Sequence, residues 1–147
     1  MSHSPNSPNY ERVLAEHRAL KDLLAKIDRA LAEKTASIDA VSDLIAGLGD
    51  RLVRHFSMEE DGGYFAEALT RAPRLVSLAN ELMAQHPKMC TRARDLVLDV
   101  GQMKPKQDWW DATRERFDAF RDELLKHEQQ EDVLIQEAYN RDIGETD

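Results

Sequence analysis

The sequence predicts an all-α protein, an up-down-up-down antiparallel four-helix bundle, on three observations. Apolar residues recur at alternating steps of three and four along four long stretches, the spacing of one buried helical face. Gly and Pro are scarce, at 6 and 5 of 147 residues, and no stretch carries a strand signal. The connections are too short for a parallel return over ~40 Å of helix, so neighbouring helices run antiparallel.

Residues 1–9, MSHSPNSPN, are polar and lack apolar spacing. They read as a disordered lead-in that holds His3 and ends near a cap at Asn9. The bundle is expected over 10–140. The first helix carries Tyr10, Val13, His17, Leu20, Leu24, Ile27 and Leu31 on one stripe, and KTAS interrupts it. Ser37 is a good cap for the second, whose stripe is Ile38, Val41, Ile45, Leu48, Leu52, His55 and Glu59, ending at Gly62-Gly63. YFAEALTRA has room for a turn of helix, and Pro73 suits a first helical position. The third stripe is Leu75, Leu78, Leu82, His86, Met89, Ala93, Leu96 and Val100, stopped by Gly101 and QMKPKQ. Asp108 then caps a fourth helix with Trp109, Thr113, Phe117, Phe120, Leu124, His127, Glu131, Leu134 and Ala138 inward. Residues 141–147 are expected to fray as a tail.

Composition excludes several classes of function. With 28 acidic against 20 basic residues and a formal charge of -8, the chain repels phosphate backbones and anionic lipid, so neither nucleic acid nor membrane is an expected partner. No apolar run approaches the ~18 residues of a span, the start lacks a signal-peptide core, and a cytoplasmic location is expected. The one cysteine, Cys90, can form neither an intrachain disulfide nor a Cys-type metal site. Any metal must be held by His and carboxylate.

Each stripe contains one histidine: His17, His55, His86 and His127. Two of them carry a glutamate one turn later, Glu59 after His55 and Glu131 after His127. A residue four places on lies about 40° around and ~6 Å along the helix, so each His-Glu pair points into one interior space. A lone interior histidine is ordinarily a hydrogen-bonded core residue. Four of them beside two glutamates are different, because an unpaired buried carboxylate costs several kcal/mol. Arg54 and Arg121 share no stripe with the glutamates, so a bound cation accounts for them better than a salt bridge does. At ~1.5 Å per residue His17 and His55 share one level and His86 and His127 another, about two turns apart, an offset the segment between Glu59 and Pro73 can absorb.

Four imidazoles and two carboxylates suit a borderline transition metal and exceed the needs of one tetrahedral zinc, so two irons bridged by carboxylate are the natural fit. The ferritin-type Glu-x-x-His motif is missing, since Leu14, Leu52, Met83 and Leu124 stand three residues before the histidines. There is no HExxH pair, phosphate-cradling glycine loop or nucleophile elbow.

From Tyr10 to about Asn140 the pattern resembles the hemerythrin-like, or HHE cation-binding, family. The matching elements are AEHRALKDLL, LVRHFSMEED, LMAQHPKM and LLKHEQQED. The resemblance implies a non-haem di-iron centre, oxo- or hydroxo-bridged in some states, with His17, His55, Glu59, His86, His127 and Glu131 as ligands and the two glutamates bridging. Oxygen-carrying members have a HxxxH pair on the third helix, where Leu82 and Cys90 flank His86 here. One iron would then keep an open position, and the site is more similar to those of sensor and regulatory domains than to those of carriers. Carriers also place an aspartate five residues after the last histidine. Asp132 fills that position here, although Glu131 shares the angular position of His127. The expected ligand is dioxygen or another small redox molecule. The rival readings are a di-iron oxidase or peroxidase-type enzyme and a metal-free interaction module.

Pro87 removes a backbone donor and is expected to kink the third helix and aim His86. Cys90 is expected to be a small buried hydrophobe, with weak ligation as the alternative. Met58, Met83 and Met89 read as gap fillers, and one of Trp109 and Trp110 must face outward.

Overall fold

The computed structural model describes residues 8–61, 63–104 and 108–141. Five α-helices follow one another, α1 (Pro8–Glu33), α2 (Ile38–Asp61), the short α3 (Tyr64–Arg71), α4 (Val76–Gln102) and α5 (Trp109–Gln136). A 3₁₀ turn, Pro73–Leu75, leads into α4, and a π-helical turn, Glu137–Arg141, continues α5. No strand occurs among the described residues. Among the described residues no helix is long and apolar enough to cross a membrane.

Cross-helix contacts fix the topology. Between α2 and α4, Asp39 meets Lys104 just past the end of α4 and Glu60 meets His86; on α4 and α5, Asp99 meets Arg116 and Gln85 meets His127. Between α1 and α5, Lys34 just past the end of α1 meets Asp111 and His17 meets Asp132; Glu16 of α1 meets Arg51 of α2. In the three pairs with two such contacts, rising numbers on one side meet falling numbers on the other, so α2 and α4, α4 and α5, and α5 and α1 run antiparallel. That sets α1 antiparallel to α2 as well, and the four long helices form an up-down-up-down bundle.

The boundaries follow local chemistry. Ser37 accepts the Ala40 N–H at 3.0 Å and starts α2 as its cap. Gly63 takes φ 79°, a left-handed conformation that turns the chain from α2 into α3. Lys34 also adopts positive φ, 58°, where α1 ends. Several expectations need correction. α1 already includes Pro8 and Asn9, so Asn9 is not its cap; the lead-in over 1–7 and the tail over 142–147 lie outside the described residues. Asp108 stands at the start of α5, but its side chain caps nothing. α4 does end where expected, at Gln102, directly after Gly101 and at the start of QMKPKQ. The first buried position of α4 is Ala79, with Leu75 and Leu78 only half-buried. Pro87 lies inside α4, directly after His86.

Two apolar clusters fill the interior. One surrounds Leu24, Ile45, Leu96 and Phe117, closed by Trp109, whose Nε1 donates to Val100 O at 3.0 Å. The other surrounds Val13, Phe65, Leu82 and Tyr139, where α3 packs. Trp110 is half-exposed, and Cys90 and the three methionines pack on these clusters. Along each long helix the histidine falls where one cluster gives way to the other. The interior is a polar layer between two apolar plugs.

Candidate metal centre

All four histidines and both glutamates expected from the sequence are buried in this layer, each 2% exposed or less. The connection between Glu59 and Pro73 absorbs the two-turn offset that helix lengths alone would leave. The rings of His17 and His55 lie 5.2 Å apart and those of His86 and His127 4.9 Å, and both pairs meet the same carboxylates. α3 and the 3₁₀ turn take up the chain between α2 and α4, so His86 descends to the level of His55.

Every Nε2 points inward. His17 Nε2 lies 3.0 Å from Glu59 Oε2 and 3.2 Å from Glu131 Oε1; His55 Nε2 lies 3.0 Å from Glu59 Oε2. His86 Nε2 lies 3.0 Å from Glu131 Oε2 and 3.3 Å from Glu59 Oε1, and His127 Nε2 2.8 Å from Glu131 Oε2. The sequence reading missed a third carboxylate. Glu128, 1% exposed, reaches His17 Nε2 at 3.1 Å and His55 Nε2 at 3.6 Å. Its signal was present in the run Leu124, Glu128, Glu131, Ile135, which repeats the core spacing one residue round from His127.

The donors form two sets, His17, His55, Glu59, Glu128 and Glu131, and His86, His127, Glu59 and Glu131. Within each set, one donor atom per residue lies within 4.8 Å of every other. Glu59 and Glu131 belong to both.

These residues fit metal ions for a geometric reason. His55 Nε2, His127 Nε2, Glu59 Oε1, Glu131 Oε1 and both Glu128 oxygens lack a properly aligned hydrogen bond despite short separations. Their lone pairs converge on shared points rather than on one another. Two ligands each ~2.1 Å from one ion and at right angles to each other lie about 3.0 Å apart, close to the separations seen here.

The opposite nitrogens are held from outside. His17 Nδ1 donates to Asp132 at 2.6 Å, His86 Nδ1 to Glu60 at 2.7 Å and His127 Nδ1 to Gln85 at 2.8 Å. Such partners fix the ring and leave Nε2 for a metal. Asp132 therefore sits behind His17 and outside both donor sets. Arg121 pairs with Asp28, Asp118 and Asp122 on the surface, and Arg54 makes no ion pair among the described residues, so neither reaches the interior glutamates. Cys90 is in neither donor set, and burial together with Glu60 raises its thiol pKa, keeping it protonated.

Protons stand where cations would. Burial favours neutral imidazole, yet Asp132, Glu131 and Glu59 outweigh it at His17 and push its pKa up to about 12. At His55, Glu128 and Glu59 likewise overcome burial and push the pKa up to about 10. Burial also works against ionised Glu131, but hydrogen bonds from His127, His17 and His86 hold it well below the usual carboxylate range. Glu59 is raised, by burial and by the neighbouring Glu131 charge.

Phe56 stacks on His86 with centroids 4.0 Å apart and planes 6° from parallel, and it meets His127 edge-on at 5.5 Å. It screens the less crowded donor set on one side. Nearby, a surface cleft of about 290 Å³ between α4 and α5 ends on His127 and Gln85.

The Hemerythrin HHE cation binding domain profile matches residues 9–100, well over half the chain. The chain belongs to the hemerythrin HHE cation-binding domain family. The matched stretch contains His17, His55, Glu59 and His86. The hemerythrin-like elements of α5, His127 and Glu131, lie beyond it and are placed by the fold. No curated protein and no solved structure matches the chain.

Proposed function

We propose that this hemerythrin-like protein holds a dinuclear non-haem iron centre, oxo- or hydroxo-bridged in some states, that binds and senses dioxygen or a related small redox ligand. The sharing of Glu59 and Glu131 between two donor sets carries the reading, because one mononuclear site needs no shared pair. Nitrogen and oxygen donors without thiolate suit iron among the divalent metals. When bound, such a pair supplies Lewis acidity and one-electron redox change.

The chain's residues divide the remaining work. Glu59 and Glu131 span the two positions. His17, His55 and Glu128 crowd one of them, whereas His86 and His127 leave the other with fewer protein donors and room for a small ligand. Phe56 keeps water from that side, and Gln85 holds the His127 ring. Asp132 and Glu60 hold the protons on His17 Nδ1 and His86 Nδ1. Rearrangement of α2 and α5, which carry the shared glutamates, would be the output. A single cysteine and an acidic composition suit the cytoplasm.

Elemental analysis, combined with electronic spectra before and after air exposure of reduced protein, tests this. Two irons per chain and an air-induced charge-transfer band support it. Iron-free protein whose stability ignores chelators would instead make the bundle a metal-free interaction module. The cleft reaching His127 favours turnover as a second reading, and peroxide decomposition well above the rate of free iron would establish it.

A further inference from the structure

Three of the four imidazoles have an acceptor within 2.8 Å of Nδ1, and His55 does not. Its Nδ1 is buried without a hydrogen bond, and the nearest carboxylate, Glu16, stands off at 3.8 Å. His55 lines a pocket of about 320 Å³ between α1 and α2, together with Arg12, Glu16, Arg51, Arg54 and Met58. Arg51 Nε is a second buried donor without a hydrogen bond. The Glu16 carboxylate lies 3.6 Å from Arg51, while Arg12 and Arg54 have no ion-pair partner among the described residues. Three guanidiniums against one carboxylate leave a local charge of about +2 in a chain whose net charge is -8. Like-charged groups gathered at one concavity, Arg12 and Arg54 exposed at its rim and two unmet donors in its wall, favour an anion there.

We propose that this pocket binds a small dianionic oxyanion of the phosphate or sulfate type, one oxygen accepting from His55 Nδ1 and others from Arg51 and its neighbours. The volume accommodates one such ion with a few waters, and guanidinium groups match its oxygens in pairs. Glu16 is the resident competitor, 3.8 Å from His55 Nδ1 and 3.6 Å from a terminal Arg51 nitrogen and hydrogen-bonded to neither. Because His55 Nε2 faces Glu59 and Glu128, anion occupancy fixes the ring from behind and communicates with the interior donors. The site stands on its own donors and does not depend on which metal the interior holds.

Titration calorimetry with inorganic phosphate, on metal-free and zinc-loaded protein, tests the proposal. The imidazole nitrogens are followed by ¹⁵N resonance. One phosphate per chain in both forms is expected, with a shift at His55 Nδ1. Arg51→Met and Arg54→Met should each weaken binding at least about tenfold without changing metal content, and Glu16→Gln should strengthen it several-fold. Binding indifferent to both arginines overturns the proposal, as does binding seen only with metal present, which would place the anion on the metals. So does a Glu16→Gln protein that binds no phosphate and loses metal, because Glu16 would then be the orienting acceptor of His55.

Discussion

Asp132 accepts from His17 Nδ1 at 2.6 Å, on the opposite edge of the ring from the interior carboxylates. The contact separates two neighbouring acids on α5. Glu131 faces the donors and Asp132 faces the back of one of them. Asp132→Asn should keep both metals but lower affinity by about 10–100-fold, whereas Glu131→Gln should abolish paired binding. Metal titration of the two variants checks this, and equal losses would mean that Asp132 is itself a ligand.

Glu128 belongs to one donor set only. Glu128→Gln should therefore weaken the position held by His17 and His55 and leave the other filled. Elemental analysis after dialysis is expected to find about one tightly held metal per chain; full retention of both would show that Glu128 donates to neither.

Proton linkage gives the metal-free and loaded proteins opposite pH trends. His17 and His55 are raised from 6.5 to about 12 and about 10, so their contribution to the metal-free fold is complete below pH 6.5 and is lost as pH rises through about 10 and then about 12. Thermal stability without metal should fall between pH 7 and 10. Metal must displace these protons, so loading should release protons near neutral pH and tighten as pH rises. Calorimetry in buffers of different ionisation enthalpy checks the release, and uptake of protons would contradict it.

Lys34 closes α1 at φ 58°, a conformation that costs a β-carbon-bearing residue about 1 kcal/mol and glycine little. Lys34→Gly should raise stability by about 0.5–1 kcal/mol in chemical denaturation, with metal content unchanged. Its ion pair with Asp111, 3.9 Å long and exposed, contributes little to oppose this.

What was legible in the sequence depended on whether one helix carried the information. His55 with Glu59 and His127 with Glu131 were readable because each pair lies one turn apart on a single stripe. Glu128 had the same spacing signal but was passed over, because the buried face of α5 is two residues wide at that level and the alternation traced only one line through it. Asp132, Glu60 and Gln85 as acceptors were beyond reach, since each meets a histidine of another helix and depends on axial register. Helix lengths alone leave an axial offset of about two turns, and only the structure shows that α3 and the 3₁₀ turn between α2 and α4 take it up. Asp108 shows the converse, a favourable capping residue at the right place whose side chain makes no cap.

Anomalous diffraction from crystals of the iron-loaded protein is the most direct measurement of the shared pair. Two iron peaks lying between the Glu59 and Glu131 carboxylates, one beside His17 and His55 and the other beside His86 and His127, are expected. A single peak, or iron bound only at the surface, would contradict a dinuclear centre.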